Sequence, residues 1–166
     1  MGVDIGQPAP DFALEGVDPA DRSRRTYSLA DFRGSPVVLV FYPGDNTPVC
    51  TRQLNSYTED IGSFAEAGAQ VLAISPQSVE SHDEFSCKQG GFAFPLLADT
   101  DKRVGDAYGI LGPLGFYRRS VFVVDAEGVV RYAHRAVAGL TFRSSDELVK
   151  AVRASSPPKQ SSGGEL

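Results

Sequence analysis

The chain reads as a single α/β domain in which a mixed central sheet is flanked by helices and preceded by an N-terminal hairpin. Three observations carry that reading. "VVLVFY" at 37–42 is a near-continuous β-branched and aromatic run, which suits a strand buried on both faces. Residues 50–64 then place Cys50, Leu54, Tyr57, Ile61 and Phe64 at steps of three and four, the period of an amphipathic helix. "AQVLAIS" at 69–75 repeats the strand signature, so strand, helix and strand follow one another as in a parallel crossover unit.

The remaining elements follow in order. "PDFALEGVDPADRSRRTYSLADF", residues 10–32, is the hairpin leading into the main sheet. Gly68 ends the first helix, whose start the periodicity places near Cys50. Pro76 stops the second strand, and "SVESHDEFSCKQGG" from residue 78 is a helix with Ser78 as its N-cap. Residues 94–99 give a short strand and 101–110 a short helix. "SVFVVDAEGVVRYAHR" supplies two strands around a "DAEG" turn. "SSDELVKAVRAS" is a final helix capped by Ser144 or Ser145. The domain is thus expected over 1–154. The Ser-, Pro- and Gly-rich tail 155–166 buries too little apolar area to offset its ordering entropy, and disorder is expected there.

Composition removes several function classes. The net charge is −5 over 166 residues, and Lys and Arg are scattered, as at Arg24, Arg25, Arg118 and Arg119, so no basic stripe invites nucleic acid. The opening "MGVDIGQPAP" has neither a basic nor an apolar leader region, and no apolar run exceeds strand length, which points to a cytoplasmic protein without a membrane partner. Two cysteines do not make a secreted disulfide framework; a sparse pair in a cytosolic chain is more often catalytic or redox-active. Neither they nor His82 and His134 show Cys-x-x-Cys or zinc-ligand spacing, so no metal is expected. The glycines of "GILGPLG" lack phosphate-loop spacing and read as a loop beside the active site.

"YPGDNTPVCT" at 42–51 sets one thiol at the head of the first helix, after a turn punctuated by Pro43, Gly44, Thr47 and Pro48. A cysteine that only fills a core needs apolar neighbours. A helix N-terminus instead offers unpaired N–H groups and a partial positive charge, both of which favour a thiolate. "PGDNTPVC" matches a Pro-x-x-x-Thr-x-x-Cys signature at Pro43, Thr47 and Cys50. With "GQPAPDF" at 6–12 and "FPLLADTDKRVGDAYGI" at 94–110, the chain resembles the peroxiredoxins over about residues 3–153. Within them it is most similar to the bacterioferritin comigratory protein group, also called peroxiredoxin Q.

The resemblance implies a thioredoxin-like fold and assigns the site. Cys50 is the peroxidatic cysteine, Thr47 hydrogen-bonds its sulfur and the peroxide, Pro43 shields it, and the arginine before "SVFVV", Arg119, completes the pocket. Arg118 competes for that place, because adjacent strand residues face opposite ways; the family register favours Arg119. Two positions depart from the pattern. Asn55 stands where part of this branch has its resolving cysteine, and Gln53 stands where a Glu is common beside the pocket arginine.

Peroxide reduction needs a thiolate to attack one oxygen while the other leaves as hydroxide or alkoxide. A free cysteine is only about a few per cent thiolate at neutral pH. The helix terminus and a guanidinium stabilise the sulfur charge, and the planar Arg fork also suits the leaving oxygen. On the helix over 78–89, Val79, His82 and Phe85 share an apolar arc, and Cys87 falls off it. An exposed thiol is unusual enough to favour a resolving role, and several members of the resembled branch place theirs on this helix. Both histidines read as ordinary helix-face and strand residues. Phe41, Tyr42 and Tyr57 read as core or pocket lining, and only Phe116 falls in a region that would touch substrate.

The expected function is therefore a thioredoxin-dependent, atypical two-cysteine peroxidase acting on hydrogen peroxide and organic hydroperoxides. The Cys50 sulfenic acid is resolved by Cys87 of the same chain, and thioredoxin or a similar dithiol recycles the disulfide. No cofactor is expected, and the chain is expected to be a monomer or weak homodimer. A one-cysteine peroxidase using an external thiol remains an alternative, as does a redox sensor. A protein disulfide oxidoreductase on the same fold is a third, opposed by Thr47 standing where the first cysteine of a Cys-x-x-Cys would be.

Overall fold

The computed structural model describes residues 2–18, 20–45, 47–112, 115–136 and 142–155. Strands β1 (Ala13–Val17) and β2 (Arg24–Ser28) form the N-terminal antiparallel hairpin, with Ala13 opposite Ser28 and Val17 opposite Arg24. Ser28 then starts a 3-10 helix, Leu29–Phe32: its hydroxyl accepts the Asp31 amide while the Asp31 carboxylate accepts the Ser28 amide, a reciprocal capping box.

The continuous apolar run becomes β3 (Val37–Phe41), buried at every residue. It runs parallel to β4 (Gln70–Ser75) on one side. On the other side it is antiparallel to β6 (Ser120–Val124), placing Phe41 opposite Ser120. The short β5 (Leu96–Ala98) bridges β4 and β1, and β7 (Val130–Arg135) closes the far edge. The result is a seven-stranded mixed sheet in the order β2-β1-β5-β4-β3-β6-β7.

Among the described residues, five α-helices accompany it: α1 (Pro48–Glu59), α2 (Ile61–Glu66), α3 (Val79–Lys88), α4 (Arg103–Ala107) and α5 (Ser145–Ser155). The single helix expected over 50–64 is two. It begins at Pro48, because proline fixes φ for the first helical position and lacks only an N–H that would have no partner there. It breaks at Asp60 (φ −100°, ψ 17°), where Asp60 and Gly62 are poor helix formers, yet Ile61 and Phe64 keep facing the core. Gly68, at φ +79°, takes the left-handed conformation that ends the segment. At α5 the cap is Ser144, whose hydroxyl accepts the Glu147 amide at 3.2 Å. That helix extends to Ser155, one residue past the expected boundary, and the rest of the 155–166 tail lies outside the described residues.

Period-two alternation sorts the sheet's side chains into two cores. Val38, Val40, Tyr42, Val71, Ala73, Val121 and Val123 pack with Cys50, Leu54 and Tyr57 of α1, Phe64 of α2 and Leu148 of α5. Val37, Leu39, Phe41, Leu72, Ile74, Phe122 and Val124 pack on the opposite face with Phe12, Leu29 and Val104. Each large apolar side chain fully buried this way contributes about 1.5–3 kcal/mol. The pairing also prepares a site. Phe41 opposes Ser120, so the residue after one, Tyr42, lies across from the residue before the other, Arg119, at the mouth of the turn into α1.

Candidate active site

Cys50 occupies the third position of α1, and its burial follows from helix spacing. Cys50, Gln53, Leu54 and Tyr57 form one stripe at steps of three and four, all fully buried. Thr47 is the N-cap residue but does not cap: its hydroxyl donates to the Gly44 carbonyl at 3.0 Å, and among the described residues no side chain accepts from the first turn. The helical ladder starts with the Thr51 amide on the Thr47 carbonyl at 2.9 Å. Cys50 thus lies within the first turn, where the positive end of the helix dipole favours a thiolate.

Alternation brings the arginine. Arg119 shares parity with Val121 and Val123, which face α1, whereas Arg118 shares parity with Phe122 on the other side of the sheet. Arg119 is 4% exposed, and its Nη1 donates to Cys50 Sγ at 3.3 Å and to Gln53 Oε1 at 2.6 Å. Arg118 turns away, donating from Nε to the Ala136 carbonyl at 3.1 Å. Gln53 in turn donates from Nε2 to the Tyr57 hydroxyl at 3.2 Å, and Tyr57 donates to the Arg143 carbonyl at 2.6 Å. Gln53 thus fixes the guanidinium firmly without adding a negative charge beside the sulfur. Burial pushes the Tyr57 hydroxyl up to about 12 against the opposing pull of the Gln53 bond, so it stays neutral as an acceptor and donor.

The other expected residues are placed as follows. Pro43 is half-buried in the turn between β3 and α1. Thr47 is exposed, and the hydroxyl bond it makes is to Gly44. Cys87 is exposed on the last turn of α3, both cysteines are free thiols, and they lie beyond disulfide distance. The Gly90 and Gly91 pair that follows has φ +81° and +92°, a conformation glycine adopts without penalty. Asn55 of α1 reaches this end of α3, donating to Gln89 Oε1 at 3.2 Å. Phe116 is exposed, with the Lys102 ammonium 5.6 Å above its ring. Residues 113 and 114 of the glycine-rich loop lie outside the described residues.

One group escaped the sequence reading. His82 is not a plain helix-face residue: it is fully buried, and its Nδ1 lies 2.8 Å from the Asp45 carboxylate in the turn before Cys50. A polar residue on the apolar arc between Val79 and Phe85 was the available signal.

The chain matches the model of the AhpC/TSA family over residues 5–133. The chain belongs to the AhpC/TSA family. Among its relatives, a Synechocystis protein provisionally named a peroxiredoxin is 35% identical over 158 residues, which cover 90% of this chain and 77% of that one. Peroxiredoxin Q of Oryza sativa chloroplasts is 37% identical over 134 residues, 80% of this chain and 59% of that one. Among solved structures, reduced 2-Cys peroxiredoxin of Plasmodium vivax is 27% identical with a TM-score of 0.83, covering 92% of this chain and 96% of that one. AhpC of Enterococcus faecalis is 26% identical with a TM-score of 0.83 over 91% of each chain. The fold is accordingly the thioredoxin-like fold of the peroxiredoxins. AhpC/TSA membership and this fold support a thiol-dependent peroxidase that takes a peroxide substrate and a thiol reductant. Among the described residues, no helix is long and apolar enough to cross a membrane.

Proposed function

We propose that this chain is a two-cysteine peroxidase that reduces hydrogen peroxide and organic hydroperoxides with Cys50 and carries the oxidation to its surface through Cys87. The Cys50 thiolate attacks one peroxide oxygen: an S–O bond forms, the O–O bond breaks, and the other oxygen leaves as hydroxide or alkoxide and takes a proton. The observation carrying this reading is Arg119, whose Nη1 is 3.3 Å from Cys50 Sγ while Gln53 anchors it at 2.6 Å. A pre-organised guanidinium stabilises the thiolate first and the departing oxygen next. Pro43 shields the sulfur in this scheme. Thr47 meets sulfur and peroxide after its hydroxyl rotates away from Gly44.

Full burial of Cys50 favours a second thiol. A protein dithiol cannot reach a sulfur with no exposed surface, whereas Cys87 is exposed. In the second step the Cys87 thiolate attacks the sulfenic sulfur, an S–S bond forms, the S–O bond breaks, and the hydroxide leaves as water. Thioredoxin or a similar dithiol then reduces the disulfide by exchange, as a reducing cytoplasm would sustain. The separation of the two thiols in this structure favours one alternative, a one-cysteine cycle closed by an external thiol. Thioredoxin-coupled NADPH oxidation, with hydrogen peroxide and with an organic hydroperoxide, tests both. Cys50→Ser should abolish turnover, and Cys87→Ser should abolish it only in the two-cysteine cycle.

A further inference from the structure

A buried charged cluster ties the turn before Cys50 to the helix that bears Cys87, and the chemistry above does not use it. The side chains of Asp45 and His82 are 1% and 0% exposed. Asp45 Oδ1 accepts the Tyr42 hydroxyl at 2.7 Å, and Oδ2 accepts the Ser81 hydroxyl at 2.6 Å and faces His82 Nδ1 at 2.8 Å. His82 Nε2 donates to the Leu97 carbonyl of β5 at 2.9 Å. A carbonyl holds no proton, so Nε2 must carry one, and a further proton lies between Nδ1 and the carboxylate. The Asp45 amide donates to Gln77 Oε1 at 2.9 Å, fixing the same turn to the end of β4. Asp45 precedes Cys50 by five residues, and His82 precedes Cys87 by five.

We propose, building on the two-cysteine reading, that Asp45 and His82 are positioning residues forming a latch that must open before the disulfide can close. A disulfide requires Cα atoms about 4.4–6.8 Å apart, and the two thiols lie beyond bonding range with Cys50 buried. The head of α1 with its turn, or α3 from His82 to its end, must therefore leave its seat. The latch grips both segments, through a charge-assisted bond that is costly to break away from water. Its consequence is temporal. While the latch holds, the Cys50 sulfenic acid persists, and a second peroxide can donate another oxygen to it, giving sulfinic acid and water or alcohol. The latch thus sets how readily excess peroxide inactivates the enzyme.

Two amide replacements separate this role from packing. In His82→Asn the amide nitrogen takes the place of Nδ1 and keeps a donor on Asp45. In His82→Gln the amide takes the place of Nε2, keeps Leu97 and releases Asp45. Rapid-quench mass spectrometry of the full chain after one equivalent of hydrogen peroxide follows first-order formation of the Cys50–Cys87 disulfide. The expected result is a rise of roughly tenfold for His82→Gln, the size of one lost charged hydrogen bond, with less sulfinic acid at excess peroxide. His82→Asn should stay within about twofold of wild type, since its bond survives. The double variant Asp45→Ala/His82→Gln also frees Ser81 and should resolve about threefold faster than His82→Gln alone. Should His82→Gln fail to fold, Ser81→Ala removes one hydroxyl from Asp45 and should raise the rate about threefold. Equal shifts in the Asn and Gln variants would show a packing role and overturn the latch, as would an unchanged rate in His82→Gln or, in its place, Ser81→Ala. If wild type forms no such disulfide at all, the two-cysteine reading fails first and the latch falls with it.

Discussion

Arg119 reaches Cys50 because strand parity sends it toward α1, and it stays there because Gln53 holds it at 2.6 Å. Arg119→Ala should slow the reaction of Cys50 with peroxide by at least about 2 kcal/mol, roughly 30-fold, whereas Arg118→Ala should leave that step near wild type. Stopped-flow kinetics on both variants decides the register; the reverse pattern would mean that the strand is misaligned by one. Gln53→Leu should both slow that step and lower stability by about 1–3 kcal/mol in denaturant titrations, since it strips a partner from buried Arg119 and from Tyr57. That Cys50 heads a helix, and that only one of Arg118 and Arg119 can face it, were legible because helix period and strand parity are local; the choice of Arg119 came from the resemblance. How Gln53 works was not legible, since its bond to Arg119 spans 66 residues. The Asp45–His82 pair was hidden for the same reason: its members are 37 residues apart and meet only once β3, β4 and α3 are packed.

At the scale of elements, α1 and α3 carry the two thiols on helix ends that differ in their anchorage. The head of α1 is buried against the sheet, while α3 ends in Gly90 and Gly91, both at positive φ. Formation of the disulfide should therefore loosen 45–55 and 81–92, the latch residues included, while leaving β3 and β6 as protected as before. Hydrogen exchange on the reduced and oxidised forms tests this, and equal protection throughout would mean that the disulfide closes without unwinding. Most elements were readable from periodicity and caps, including Ser78, whose hydroxyl accepts the Ser81 amide as an N-cap should. The break at Asp60 was not, because the apolar stripe continues across it: Ile61 and Phe64 still serve the same core after the backbone turns.

For the molecule as a whole, the strand order could not be read from local sequence. β1 pairs with β5 and β3 with β6 across long stretches of chain, and only the filled core decides such pairings. That core also sets the response to alkali. Burial, the largest cause in each case, raises the hydroxyls of Tyr42, Tyr57, Tyr108, Tyr117 and Tyr132 above their ordinary value of 10, Tyr57 to about 12. The fold keeps these protons where the unfolded chain has lost them. Their contribution to stability is thus fully present below pH 10 and is lost as pH rises through the folded values. A tyrosinate absorbance titration should show most tyrosines ionising only with unfolding in the native protein, and together near 10 in guanidinium. The central claim, that buried Cys50 hands its oxidation to exposed Cys87, has a more direct test: peptide mapping by mass spectrometry after one equivalent of hydrogen peroxide, without added thiol. The account predicts an intramolecular Cys50–Cys87 disulfide, each monomer having lost two hydrogens. Cys50 carrying added oxygen beside a free Cys87 thiol would contradict it.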